Sequence, residues 1–247
     1  PNGKIKEDVY RTFFFLFFGE PYEEKGRAVE ANSVQKNIRN YKINEIPETL
    51  SIKDGNGTVV MLTCACDLNG TEHDARLDYE ITAWSESGSS YSIRHGSLGT
   101  FIPRENAKPV KEDRVHWTYE FGRQNCVWPE LEKIINTTFM TDTERPMRVL
   151  LTGVDCGHYT NHAYSFIDRT PLTVIGVKGD KEGQYRKLGI DIAPFKPAKE
   201  RPKLYLLDVN HIKDMLTSNI DLRWQPGTTE VQPPGFLNFP EPADGLY

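Results

Sequence analysis

The run Val59-Val60-Met61-Leu62-Thr63-Cys64-Ala65 is continuously apolar and β-branched, and it gives way to Asp67. A run of this length and kind predicts a strand buried on both faces, at the centre of a sheet. A second run, Val149-Leu150-Leu151-Thr152-Gly153-Val154, has the same form and stops at Asp155. A buried strand that ends in a carboxylate places a costly charge at the rim of the core. Either aspartate alone is accounted for as the end of a strand and the start of a turn. If the two strands lie adjacent and parallel, however, the two carboxylates meet. They then repel unless a cation lies between them. Hard carboxylate oxygens select Mg²⁺ or Mn²⁺. Asp67 and Asp155 are therefore the candidate catalytic and metal-binding residues, with two such ions as the expected cofactor.

The remaining segments predict an α/β fold. Leu77, Tyr79, Ile81 and Ala83 alternate with Asp78, Glu80 and Thr82, as in a strand with one wet face. Tyr91 to His95 gives a third short strand, and short connections make the three an antiparallel meander. Leu131, Ile134, Ile135 and Phe139 have helical spacing, with Pro129 suited to the first turn. A second helix is expected over Asn161–Arg169 and a strand over Val174–Val177. Another strand follows over Leu204–Val209, then a helix over His211–Leu216 capped by Asn210. The tail from Gln232 reads as irregular. Upstream, the spacing of Val34, Ile38 and Tyr41 predicts a helix over Glu30–Tyr41. The turn Asp54-Gly55-Asn56-Gly57 marks the expected start of the main domain. A mixed sheet flanked by helices is the economical packing for this order.

Charge narrows the function classes. The net charge is −5, which argues against a dedicated nucleic-acid-binding protein. Lys178–Lys203 runs against that balance, with eight basic and four acidic residues, a local net of +4. Such a stretch on an acidic body is either a solvated loop or a surface for an anionic polymer. His158 and His162, just after Asp155, are four apart. His158 suits a polar role at the mouth of the site and His162 a satisfied surface position. The four cysteines form no C-x-x-C pair, so a structural zinc site is not expected and buried reduced thiols are. The longest apolar block, Phe13–Phe18, is six residues, against roughly 20 for a bilayer span. No membrane association is expected, and no secretory leader opens the chain. The block must bury itself against something, and the breaker Gly19-Glu20-Pro21 follows it. The chain opens on Pro1 rather than Met, as expected of a piece of a longer protein.

Several motifs, in order, are similar to one family. Cys66-Asp67-Leu68 through Ile81-Thr82-Ala83-Trp84 resembles the opening strands of the nuclease domain in the large terminase subunit of tailed phages, in the family of phage lambda. The resemblance continues at Gly153-Val154-Asp155-Cys156-Gly157-His158-Tyr159-Thr160, at Val174-Ile175-Gly176-Val177-Lys178-Gly179, and from Leu207 to Asp214. Gly19-Glu20-Pro21-Tyr22-Glu23-Glu24-Lys25-Gly26 resembles the junction leaving that family's ATPase domain.

The resemblance implies a ribonuclease H-like fold and a metal-dependent endonuclease that cuts concatemeric viral DNA during packaging. Residues 1–28 would then be the tail of an upstream ATPase domain, 29–57 a connecting segment and 58–247 the nuclease domain. Lys178, Arg186, Lys187 and Lys196 would track the DNA backbone. Double-stranded DNA, the ATPase domain, the small terminase subunit and the portal protein would be partners, in the host cytoplasm. Two rival readings keep other functions in view: a resolvase- or integrase-like nuclease on branched DNA, and an inert interaction module of the packaging motor. The family's third acidic residue lies on a C-terminal helix that the chain does not show, and Asp208, Asp214 and Asp244 are poor substitutes. With no G-x-x-x-x-G-K-[ST] phosphate loop, the chain is not the packaging ATPase itself.

Overall fold

The computed structural model describes residues 31–71, 74–99, 115–179, 195–198, 201–227 and 230–242. In chain order the strands are β1 (Val59–Gly70), β2 (Ala75–Ser85), β3 (Ser90–Gly99), β4 (Phe139–Met140), β5 (Pro146–Met147), β6 (Val149–Asp155), β7 (Val174–Gly179), β8 (Phe195–Ala198), β9 (Arg201–Leu207) and β10 (Leu237–Asn238). The helices are α1 (Ala31–Lys36), α2 (Glu48–Lys53), α3 (Val127–Ile135), α4 (Thr160–Arg169) and α5 (Val209–Ile220). The Phe13–Phe18 block, and Arg186 and Lys187, lie outside the described residues.

Eight strands form one sheet in the order β10-β3-β2-β1-β6-β7-β9-β8, and β4 and β5 pair separately. The predicted meander is present: β1 pairs antiparallel with β2, and β2 with β3. On its other side β1 pairs parallel with β6, which continues in parallel to β7 and β9. This is the mixed α/β architecture expected from the sequence, consistent with a ribonuclease H-like fold.

β1 is buried on one face rather than both. Leu62, Cys64, Cys66 and Leu68 point into the core, while Met61, Ala65 and Asp67 are exposed. The reason lies in the helices. α3 packs on β2 and β3 and α4 on β7, with Trp128 of α3 stacked on Phe166 of α4 at 4.6 Å. Gly176 shows how close α4 comes. A Cβ there would lie 2.9 Å from Cys156 Sγ and 3.2 Å from Ile167 Cδ1. Gly176 is the register partner of Val154, so α4 covers the face that carries Val154 and Cys66. All four cysteines are buried free thiols, as expected. The contact with the Cys64 thiol, and then burial, hold the Cys66 thiol well above the usual range.

Local departures from the predicted elements have local causes. Helix α3 stops at Ile135, before Phe139, because Asn136-Thr137-Thr138 favours other backbone conformations. The Thr137 hydroxyl donates to Lys133 O (2.9 Å), closing the last turn. α5 is capped by Asp208, which accepts from His211 N at 3.0 Å, and not by Asn210. The segment expected to connect domains supplies Tyr41 and Ile46 to the core, and residues from Ala31 onward form one compact unit with the sheet.

The described part of the tail, residues 232–242, joins the fold. β10 pairs in parallel with β3. Asn238 Nδ2 donates to Ser90 O (3.0 Å), Gln232 Nε2 to Asn238 Oδ1 (2.9 Å), and Asn56 Nδ2 to the Tyr91 hydroxyl (2.8 Å). Beside this network the buried ion pair Arg39–Asp54 closes at 2.6 Å. These polar groups are buried and paired with one another, as burial requires.

Candidate metal and catalytic site

Register brings the two aspartates together. Cys66 and Val154 are partners in the parallel β1–β6 ladder, so Asp67 and Asp155 occupy the next level. Side chains alternate along each strand, which puts both aspartates on the face opposite the buried Cys66 and Val154. Asp67 is exposed and Asp155 half-buried.

Each carboxylate is held by one oxygen. Asn69 Nδ2 donates to Asp67 Oδ2 at 2.9 Å. Gly157 N donates to Asp155 Oδ1 at 2.9 Å, in the turn that follows β6. Gly157 fits tightly, since a Cβ there would lie 3.2 Å from both Asp155 oxygens. Among the described residues, Asp67 Oδ1 and Asp155 Oδ2 have no protein partner.

The strand ends are strapped to each other just beyond the carboxylates. The Tyr159 hydroxyl, from the loop after Asp155, donates to Gly70 O at 3.0 Å. Its ring lies 5.0 Å from that of Tyr119, whose hydroxyl sits 2.8 Å from Asn69 O and 2.6 Å from Arg76 O. Burial pushes the Tyr119 hydroxyl far above its ordinary pKa, so it serves as a neutral donor. Tyr159 adopts φ 47° and ψ 36°, a left-handed conformation that costs a bulky residue energy. These contacts hold it there.

Asp78, which the sequence reading placed only on a wet face, is the direct cross-strand partner of Asp67. Its oxygens are already engaged. Arg76 Nε and Nη2 donate to Oδ2 at 3.1 and 2.8 Å, Asn69 Nδ2 donates to Oδ2 at 2.9 Å, and the Ser97 hydroxyl donates to Oδ1. Counting outward from the turn between Thr71 and Asp74 would have paired Asp67 with Asp78.

The other predicted residues take varied places. His158 is exposed in the turn between β6 and α4, beside Asp155. His162 is half-buried, its ring 6.5 Å from that of Tyr119. Lys178 is one residue past Val177, the partner of Asp155, and so lies on the alternate pleat. Lys178, Leu206 and Lys196 are register partners across β7, β9 and β8, which sets the two lysine positions about 10 Å apart. Lys203, from the same basic stretch, turns to Ile167 O of α4 (3.1 Å).

Among the described residues, no group of three or more His, Cys, Asp or Glu side chains is placed to hold a metal ion. The pair still fits a hard cation of the Mg²⁺ type. Such ions are commonly held by one or two carboxylates, with waters and substrate phosphates completing the shell. Among the described residues, each aspartate keeps one oxygen fixed and one without a partner.

Asp155 ends β6 as expected, whereas Asp67 does not close β1, which runs on to Gly70 because its pairing with β2 continues to Ala75. A mixed sheet with two aspartates at one level of adjacent parallel strands, near their C-terminal ends, defines a class of α/β protein with its candidate site at that edge. The family is more specific. The family model described as terminase large subunit gpA, endonuclease domain, matches residues 4–247, and the chain belongs to that family. No curated protein and no solved structure matches the chain. No described helix is long and apolar enough to cross a membrane.

Proposed function

We propose that this domain is a divalent-metal-dependent endodeoxyribonuclease that cuts concatemeric viral DNA during genome packaging. Family membership supports a nuclease role in packaging. The observation that carries the chemistry is the β1–β6 register, which sets Asp67 beside Asp155. Asp67 and Asp155 would hold Mg²⁺ or Mn²⁺, with two ions as the working stoichiometry. Bound there, such ions supply Lewis-acid stabilisation of phosphoryl charge and a water of lowered pKa.

The chain's own residues do the positioning. Asn69 and the Gly157 amide fix one oxygen of each carboxylate and leave the other for the cation. The Tyr159–Gly70 strap keeps the two strand ends at constant separation. His158 stands at the mouth as a polar side chain for the substrate. Lys178, Lys196, Arg186 and Lys187 would meet the DNA backbone, giving weak sequence preference and strong salt dependence. The upstream ATPase domain, the small terminase subunit and the portal protein would be its partners, in the host cytoplasm.

The test is plasmid nicking with Mn²⁺. Asp67→Ala and Asp155→Ala should each abolish cutting, and undiminished cutting by either variant refutes the assignment. Preference for a four-way junction over linear duplex would instead favour the branched-DNA reading. Absence of Mn²⁺ binding in calorimetry would favour the inert module.

A further inference from the structure

We infer that Asn69 is the positioning residue of the Asp67 carboxylate, anchored in turn by Asp78, Arg76 and Ser97. The inference rests on the metal-site reading of Asp67 and Asp155 given above.

The geometry carries it. Asp67 and Asp78 face each other across the β1–β2 ladder, and like charges directly opposite repel. The structure resolves the conflict unequally. Asp78 is neutralised by the Arg76 guanidinium and accepts a further hydrogen bond from the Ser97 hydroxyl, so it serves as an anchor rather than a ligand. Asp67 receives no cation from the described protein, only the amide of Asn69. One Nδ2 group reaches Oδ2 of Asp67 and Oδ2 of Asp78, both at 2.9 Å. An amide nitrogen has two protons, and this arrangement uses one on each carboxylate. A flipped amide would set its oxygen against both anions, so the charges themselves fix the orientation. With both protons committed, the amide cannot turn without losing both bonds. The Asp67 side chain is thereby held with Oδ1 left open. Hydrogen-bonding partners of metal-binding carboxylates typically contribute about 10–100-fold in metal affinity or activity.

The experiment uses the full chain and two readouts: the Mn²⁺-induced rise in melting temperature, and plasmid nicking against Mn²⁺ concentration. Asn69→Ala should raise the Mn²⁺ half-saturation in both by about tenfold. At saturating Mn²⁺ the nicking rate should fall by a smaller factor than the half-saturation rises, because the ligand itself remains. A merely structural role would lower the metal-free melting temperature and leave the half-saturation unchanged. Asp78→Ala, which removes the anchor of Asn69 and with it the charge opposite Asp67, should shift the half-saturation in the same direction by less. The double variant should shift it by less than the two single shifts combined, as coupled residues require. Half-saturation within about twofold of the parent in both single variants, with the Mn²⁺ response abolished in Asp67→Ala, overturns the role of Asn69 and leaves the site reading intact. A Mn²⁺ response that survives Asp67→Ala overturns the site reading, and this inference with it.

Discussion

Replacing Asp67 by Asn should stabilise the metal-free protein while removing its response to metal. The two carboxylates occupy the same level of adjacent parallel strands, whose spacing is about 4.8 Å. Two unit charges about 5 Å apart repel by about 0.8 kcal/mol in bulk water and about 3 kcal/mol at the effective dielectric of a protein surface. Asp67 is exposed and Asp155 half-buried, so the lower part of that range applies, roughly 1 kcal/mol. For a domain of this size, 1 kcal/mol moves the melting temperature by about 2–4 °C. The amide retains an oxygen that can accept from Asn69, so the local hydrogen bonding survives. In EDTA, differential scanning fluorimetry should therefore place Asp67→Asn about 2–4 °C above the parent. Mn²⁺ at 100 times its dissociation constant should stabilise the parent by about 2.7 kcal/mol, roughly 5–10 °C, and the variant by little. A variant that melts lower than the parent in EDTA, or that gains as much from Mn²⁺, refutes the pairing of charges.

Other expectations concern the scaffold. The Arg145 guanidinium bonded to Glu48, helped by the Thr143 hydroxyl against the opposing effect of burial, holds the Glu48 carboxyl below its usual 4.5. Its contribution is fully present above that value and is lost as pH falls through the lowered one. Urea midpoints at pH 7 and pH 3.5 should show a smaller acid loss in Glu48→Gln than in the parent. Trp128→Ala should cost about 3–5 kcal/mol in urea unfolding, because Trp128 is fully buried against Phe166 and its Nε1 donates to Tyr119 O at 2.8 Å. Gly176→Ala should cost about 1–3 kcal/mol through contact with Cys156 and Ile167, and an unchanged urea midpoint would show that α4 gives way freely.

The two aspartates were legible in the sequence because each follows a strongly hydrophobic run, and such runs are the least ambiguous signal a chain carries; that β1 continues past Asp67 to Gly70 was not. What surrounds them was not. Asn69, Asp78 and Gly157 act through hydrogen bonds between side chains and strand ends, which leave no periodic trace. Tyr159 holds its turn by reaching Gly70, a residue remote in sequence. The tail from Gln232 looks irregular in sequence because Gln232 and Asn238 resemble surface residues until the partners that satisfy them are known. Exposure of one face of β1 could not be foreseen either, since it depends on which side α3 and α4 take.

The two-residue strand β10 lies along Ser90 and Tyr91, so that end of the outer rim of the sheet is finished by residues almost 150 positions downstream of it. Synthesis at about 5–20 residues per second would leave that end of the rim open for roughly 7–30 seconds. During that interval β3 offers a bare ladder to any neighbouring nascent chain. Shortening the protein before Leu237 would make that transient vulnerability permanent, so truncation at this end should be felt first as self-association rather than as lost secondary structure.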